Sequence, residues 1–251
     1  MINGFKLGCK RSKQDERNHK FCLTQREKEI LLPESFQLKV LDALKIFNQG
    51  QLSSCTANAI AQQIQIKTDR LLTISRLFQY FNSRLLENTY NEDSGANILD
   101  CYKALVKYKY IAESLYPYIE SNVNEFPPKE IYIEASNNKS IKGYTAVPQD
   151  IYHIKYALAI NKQPIVFGAE VFNTFQNLDS NYICPTPDPT KDTLLGGHAL
   201  TIYSYDDKEQ TVGIINSWGS DYGNKGTFKM KYDYILNPSL ASDFWTVELG
   251  F

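Results

Sequence analysis

The residue pattern changes character at Pro127-Pro128, and that change restricts the fold more than any other feature of the 251-residue chain. Neither proline suits a helix interior or a central strand, so the pair marks a boundary. Upstream, residues 55–66 contain no Gly or Pro and repeat apolar side chains at helical intervals, with Ser53 or Ser54 available as N-cap. Further helices are expected near residues 74–86 and 97–108, separated by the turn-prone Asn91-Glu92-Asp93-Ser94-Gly95. Downstream, a helix over residues 148–160, capped by Asp150, precedes short apolar runs at 164–167, 198–205, 211–216, 226–231 and 243–249. These runs, bounded by turn residues, read as strands. A helical half (residues 32–130) followed by a β-rich half (131–251) implies an α+β protein whose two subdomains meet in a cleft. Residues 1–31 are polar and read as an extended or loosely ordered arm, with the globular part beginning near Leu32-Pro33.

Charge and cysteine usage narrow the function. With 27 Lys plus Arg against 28 Asp plus Glu, the formal charge is −1, so no strong field favours nucleic acid or an anionic membrane. Residues 1–20 are rich in charge and lack the apolar core of a signal peptide, and no later stretch approaches the roughly 18 apolar residues of a membrane span. Ile2 removes the glycine that N-myristoylation needs. A soluble, non-secreted and monomeric protein is expected. The five cysteines are odd in number and irregularly spaced, which fits a reducing compartment better than a disulfide framework. Cys9, His19 and Cys22 lack the paired short spacings of a zinc site, and no metal is expected.

Three residues could carry chemistry. Cys55 falls in the first turn of a helix, whose positive end lowers a thiol pKa; a lone cysteine is, however, more often an inert small hydrophobe. A cysteine nucleophile needs a nitrogen base, and the chain has three histidines: His19 in the arm, His153 on an amphipathic helix, and His198. His198 follows Gly196-Gly197 and opens an apolar strand, which suits a fixed base or, equally, a satisfied strand histidine. Asn216 ends the strand Val212-Gly213-Ile214-Ile215 before Ser217-Trp218-Gly219. Its amide can accept from one imidazole nitrogen and orient the other, with Trp218 as a shield, or the segment can simply be a strand ending in a turn.

Taken together, Asn48-Gln49-Gly50-Gln51-Leu52-Ser53-Ser54-Cys55 and Asn216-Ser217-Trp218-Gly219-Ser220-Asp221-Tyr222-Gly223-Asn224-Lys225-Gly226 resemble the papain family of cysteine proteases. His198 stands 143 residues after Cys55 and 18 before Asn216, an order similar to the family's. Glu92-Asp93-Ser94-Gly95 and Glu113-Ser114-Leu115-Tyr116-Pro117-Tyr118 also fit, so the resemblance runs from about Leu32 to the C-terminus. Two departures matter. Leu52 stands where secreted members commonly carry a disulfide cysteine, and Thr56 follows the nucleophile where an aromatic is usual; the Cys-Thr-Ala-Asn form looks like bacterial and viral branches.

The resemblance implies a papain-like fold with a helical left subdomain and an antiparallel, β-barrel-like right subdomain. It implies Cys55 as nucleophile, His198 as acid/base, Asn216 as orienter and Gln49 as oxyanion-hole donor, with Ser94, Gly95, Gly197 and Trp218 touching substrate. It also implies a cathepsin-like endopeptidase acting on peptides or proteins without cofactor, in a cytoplasmic or virion-associated setting. The arm is shorter than the family's large propeptides and is expected either to lie over the cleft as a lid, as in a zymogen, or to be a disordered tail. A catalytically silent peptide-binding protein and a Cys/His acyltransferase are the alternatives.

Overall fold

The computed structural model describes residues 2, 4–13, 15–39, 44–69 and 71–250. In chain order the elements are β1 (Cys9–Lys10), α1 (Gln25–Lys28), β2 (Ser35–Gln37), α2 (Cys55–Lys67), α3 (Arg76–Leu86), β3 (Ala96–Asn97) and α4 (Ile98–Tyr108). There follow α5 (Lys129–Asn137), β4 (Ile141–Ala146), α6 (Ile151–Ala159), β5 (Ile165–Phe172), β6 (Ile183–Cys184), β7 (Leu194–Asp206), β8 (Thr211–Ile215), β9 (Thr227–Lys231), α7 (Tyr232–Leu236) and β10 (Ala241–Leu249). The expected helices and strands of the α+β pattern are present, with the expected Asp150 cap on α6 and further side-chain caps from Ser75 on α3 and Asn97 on α4.

The strands form one eight-stranded sheet in the order β4-β10-β5-β7-β8-β9-β6, with β2 paired to the end of β7. All pairs are antiparallel except β6 with β9. The path is open, with β4 and β6 at its ends, so the barrel-like expectation is met by a sheet that does not close on itself. Part of the β4 edge is covered by the arm: Phe21 N–H donates to the Ala146 carbonyl and Ala146 N–H to that of His19, both at 2.8 Å.

Strand periodicity splits the interior into two cores. Along β5, Ile165 and Phe167 point into a core shared with α6 and α7, while Val166 points to the core of α2, α3 and α4. On β10, Phe244 and Trp245 divide in the same way. Helix α2 is the centre of the second core, and twelve of its residues, Cys55 to Ile66, are buried, including the polar Thr56, Asn58, Gln62, Gln63 and Gln65. Its buried Gln63 is satisfied by the Pro164 and Trp245 carbonyls and by Tyr102 Oη.

Several elements differ from expectation. β7 begins at Leu194, so His198 lies inside a strand and does not open it; Gly196 and Gly197 pair with Val171 and Glu170 of β5. Helix α5 directly follows Pro127-Pro128, with Pro128 at its N-cap, and its Ala135 packs with Phe78 and Ile111 from the upstream half. The arm is not a loose tail: Ile2 is 1% exposed and belongs to the sheet core, and β1 pairs in parallel with β3.

Candidate active site

Cys55 is fully buried at the first position of α2. Ser54 occupies the N-cap but makes no capping bond, because its Oγ is shared with Tyr118 Oη at 2.6 Å and accepts from Asn58 Nδ2 at 3.0 Å. The expected Ser cap is thus spent on side chains, which leaves first-turn N–H groups at the positive end of the helix free of a side-chain cap. The backbone of Ala199, Gly8 and Thr56 near the Cys55 sulfur favours its thiolate, yet burial dominates and raises the thiol pKa.

His198 lies one residue before Ala199 on β7. Thr201 Oγ1 donates to the Ala59 carbonyl at 3.1 Å, fixing the strand three residues past His198 against the helix four residues past Cys55. The His198 Nε2 to Asn216 Oδ1 distance is 2.8 Å, and Oδ1 also accepts from Ser217 N–H at 2.8 Å. An amide oxygen can only accept, so Nε2 carries the proton and Nδ1 is the basic nitrogen. Nδ1 has no hydrogen-bond partner among the described residues. Burial holds the His198 pKa down at about 4, against the opposing effect of the Asn216 bond. Trp218 stacks on the imidazole with ring centroids 4.9 Å apart, which covers the His198–Asn216 bond as the sequence suggested.

Gln49 is brought to this place by short-range pairing of two strips of backbone. Gln49 N–H donates to the Ser217 carbonyl at 2.8 Å and Gly219 N–H to that of Phe47 at 3.0 Å. Ser217 Oγ donates to Gln49 Oε1 at 2.8 Å, which turns the amide nitrogen toward the carbonyls of Leu52 (2.7 Å) and Lys6 (3.0 Å). Arg76 braces the strip from behind: it forks onto Glu113 (2.7 and 2.9 Å), donates to the Asn48 carbonyl (3.1 Å) and to Asn58 Oδ1 (2.9 Å), and stacks on Phe47 and Tyr118.

The N-terminal arm fills the groove between these groups. Phe5 stacks on the face of Trp218 with centroids 5.3 Å apart. The Lys6 carbonyl takes the Gln49 amide, and Lys6 Nζ pairs with Asp93 at 2.8 Å. The Gly8 carbonyl accepts from Ala96 N–H at 2.9 Å, and Gly8 has no room for a side chain, since a Cβ there would sit 2.0 Å from the Ser53 carbonyl oxygen. Cys9 lies against Gly168 and Gly197, whose added Cβ atoms would meet its sulfur at 3.3 Å and its carbonyl oxygen at 2.2 Å.

Cys55, His198, Asn216 and Gln49 are therefore assembled together, and Gly197 and Trp218 face the arm. Gly95, at φ +74°, abuts the Gly8 carbonyl, but the N–H that receives the arm belongs to Ala96. Ser94 meets the arm through its side chain, its Oγ accepting from Lys10 at 3.5 Å while it bonds Thr89 and the Gly95 carbonyl. Three positions escaped sequence reasoning. Ser217 orients Gln49, Ala96 offers the backbone donor, and Asp93 ties Ser53 N–H (3.0 Å), Tyr80 Oη (2.7 Å) and Lys6 together. Ser217 and Ala96 adjoin residues already singled out, and Asp93 sits in the turn noted before Gly95, but no pattern marked their roles. Among the described residues no group of three or more His, Cys, Asp or Glu could hold a metal ion, and no helix is long and apolar enough to cross a membrane.

The fold and this constellation define a cysteine protease, and comparison with known proteins agrees. The model of the papain family cysteine proteases, Peptidase C1, matches residues 32–243. An uncharacterized peptidase C1-like protein of Acanthamoeba polyphaga mimivirus is 37% identical over 246 residues, spanning 91% of this chain and 78% of its own. Xylellain, a cysteine protease from Xylella fastidiosa, superposes with a TM-score of 0.89 at 34% identity, covering 98% of this chain and 96% of its own. A procathepsin B of Trypanosoma congolense shares the fold, with a TM-score of 0.75 at 15% identity over 98% of this chain and 87% of its own. The chain belongs to the papain family of cysteine proteases, on the bacterial and viral side of that family, and is a cysteine-type peptidase of peptide or protein substrates.

Proposed function

We propose that the protein is an endopeptidase in which Cys55 is the nucleophile, and that its own arm holds it closed. The observation that carries this reading is the His198 ring, whose protonated Nε2 is fixed by Asn216 while Nδ1 stays unengaged near a thiol at a helix N-terminus. Nδ1 takes the Cys55 proton, giving a thiolate and an imidazolium. The sulfur attacks the scissile carbonyl, and the resulting oxyanion is received by Gln49 Nε2 and the Cys55 N–H. His198 then protonates the leaving amine, leaving an acyl-enzyme. Water, deprotonated by the same nitrogen, attacks the thioester and releases the acid. Residues 32–130 and 131–251 form the two walls of the groove, Ala96, Gly95, Gly197 and Trp218 touch the bound chain, and Ser94 supports the loop.

In the closed form Lys6 stands where an oxyanion would, and the elevated thiol pKa and depressed imidazole pKa keep both groups neutral. The protein works as a monomer in a reducing, cytoplasmic or virion-associated setting, a reading supported by five unpaired cysteines. The test is covalent labelling: a peptidyl vinyl sulfone or epoxide modifies the wild type at Cys55 and leaves Cys55→Ala unmodified. Failure to modify Cys55 under any condition that displaces the arm sinks the proposal. Product analysis with an added amine separates hydrolysis from acyl transfer.

A further inference from the structure

Arg11 lies two residues beyond Cys9, and its guanidinium is held by three acceptors outside the arm. Nε donates to Glu170 Oε1 at 2.7 Å, Nη1 to the Pro238 carbonyl at 3.1 Å and Nη2 to the Ser239 carbonyl at 3.0 Å. The backbone that carries these acceptors is set in place without Arg11. Glu170 is anchored through its N–H to the Leu240 carbonyl (2.8 Å) and through its carbonyl to Tyr234 Oη. The Pro238-Ser239 turn is fixed by Asn237, whose Oδ1 accepts from Ser239 N–H at 2.9 Å and whose carbonyl accepts from Leu240 and Ala241, also at 2.9 Å. A planar fork of donors matches one carboxylate and two carbonyls; a lysine ammonium, a point charge, does not reproduce that match.

The site opens onto the groove. Glu170 stands two residues from Gly168, which faces Cys9, and the Arg11 side chain is 50% exposed, so a ligand from solvent can reach its place. We propose that Glu170 with the Pro238 and Ser239 carbonyls is a guanidinium site that reads an arginine of the peptide substrate, and that Arg11 is its tethered occupant. This rests on the endopeptidase reading above.

The test uses the full-length chain. In Arg11→Ala, N-acetyl-L-arginine methylamide binds saturably by NMR titration. It binds about tenfold more weakly to the wild type and to Arg11→Ala/Glu170→Gln, the scale of one charged hydrogen-bonding pair discounted for solvent. The isosteric but neutral citrulline analogue shows the same weakening. If Arg11→Ala misfolds, Arg11→Gln serves in its place. No saturable binding, or equal binding of citrulline, overturns the site. Matched peptidyl vinyl sulfones carrying arginine or citrulline then label Cys55 of Gly8→Val/Arg11→Ala, in which the arm is unseated, about tenfold apart at one position. Equal labelling at every position overturns the substrate role alone. Absence of any labelling counts against the endopeptidase reading, while the titration still decides whether guanidinium is recognised.

Discussion

The carbonyl oxygen of Lys6 accepts a hydrogen bond from Gln49 Nε2 at 3.0 Å, the group proposed to receive the oxyanion. The same segment stacks Phe5 on Trp218 and brings the Gly8 backbone close to the sulfur of Cys55. The groove is thus occupied by the protein's own backbone, and every group proposed for catalysis is covered at once.

Gly8 is the narrowest point of that arrangement. A side chain there collides with the Ser53 carbonyl, and backbone atoms cannot yield as the end of a side chain can. Gly8→Val is expected to unseat the arm and raise the rate of Cys55 labelling and of small-peptide cleavage by at least about tenfold, equivalent to shifting the closed state by roughly 1.4 kcal/mol. Labelling at the wild-type rate would count against occlusion by the arm.

Acid should loosen the closed form. Burial holds His198 at about 4, whereas an open or unfolded histidine titrates near ~6.5. Between those values the open state binds more protons, so the closed state is fully favoured above about 6.5 and loses stability as pH falls toward 4. Deuterium exchange at Ala96 N–H, which donates to Gly8, should accelerate at pH about 4.5 relative to about 7.5 after correction for intrinsic rates. The acceleration should shrink in His198→Gln.

Gln49→Ala is expected to lower kcat by about 10²-fold, the scale of losing one oxyanion-hole donor, with little change in KM. Ser217→Ala should give a smaller loss of the same kind, since it leaves the amide in place but frees its oxygen from the 2.8 Å bond that orients it. Steady-state kinetics in the Gly8→Val background separate the two. A fall in kcat/KM through KM alone would remove Gln49 from the chemistry.

Arg76→Ala should destabilise the fold by about 3 kcal/mol, because it removes the guanidinium fork from Glu113, whose side chain is 12% exposed and keeps only the Lys45 ammonium at 3.9 Å, and it frees the Asn48 carbonyl. Urea denaturation measures this. Arg76→Lys recovers only part, as an ammonium cannot fork onto the carboxylate while reaching Asn48 and Asn58.

What the sequence reveals depends on whether local chemistry carries the information. The helix behind Cys55 was legible from an unbroken Gly- and Pro-free run, and the cap of α6 from Asp150. Helix α5 was hidden because Pro127-Pro128 reads as a stop, whereas a proline just before a first turn suits a helix start. Strand β4, with Lys142, Gly143 and Thr145 among its six residues, lacks the apolar alternation that marks a strand. The arm was the hardest to read. Its key bonds run through the carbonyls of Lys6 and Gly8, and a backbone carbonyl looks alike at every position in a sequence. For the same reason Ala96, which supplies the donor to the arm, was passed over in favour of its neighbour Gly95.

The parallel pairing of Cys9 and Lys10 with Ala96 and Asn97 joins the plug to the body through a single continuous chain. Tethering makes rebinding unimolecular, with an effective concentration on the order of millimolar, so modest contacts suffice to keep the groove filled. A cut at the exposed Arg17, whose side chain is 90% accessible, turns that intramolecular partner into a short diffusible peptide at bulk concentration. In the proposed closed form the covalent link therefore acts together with the contacts along the plug, and its loss weakens the closure that those contacts alone provide.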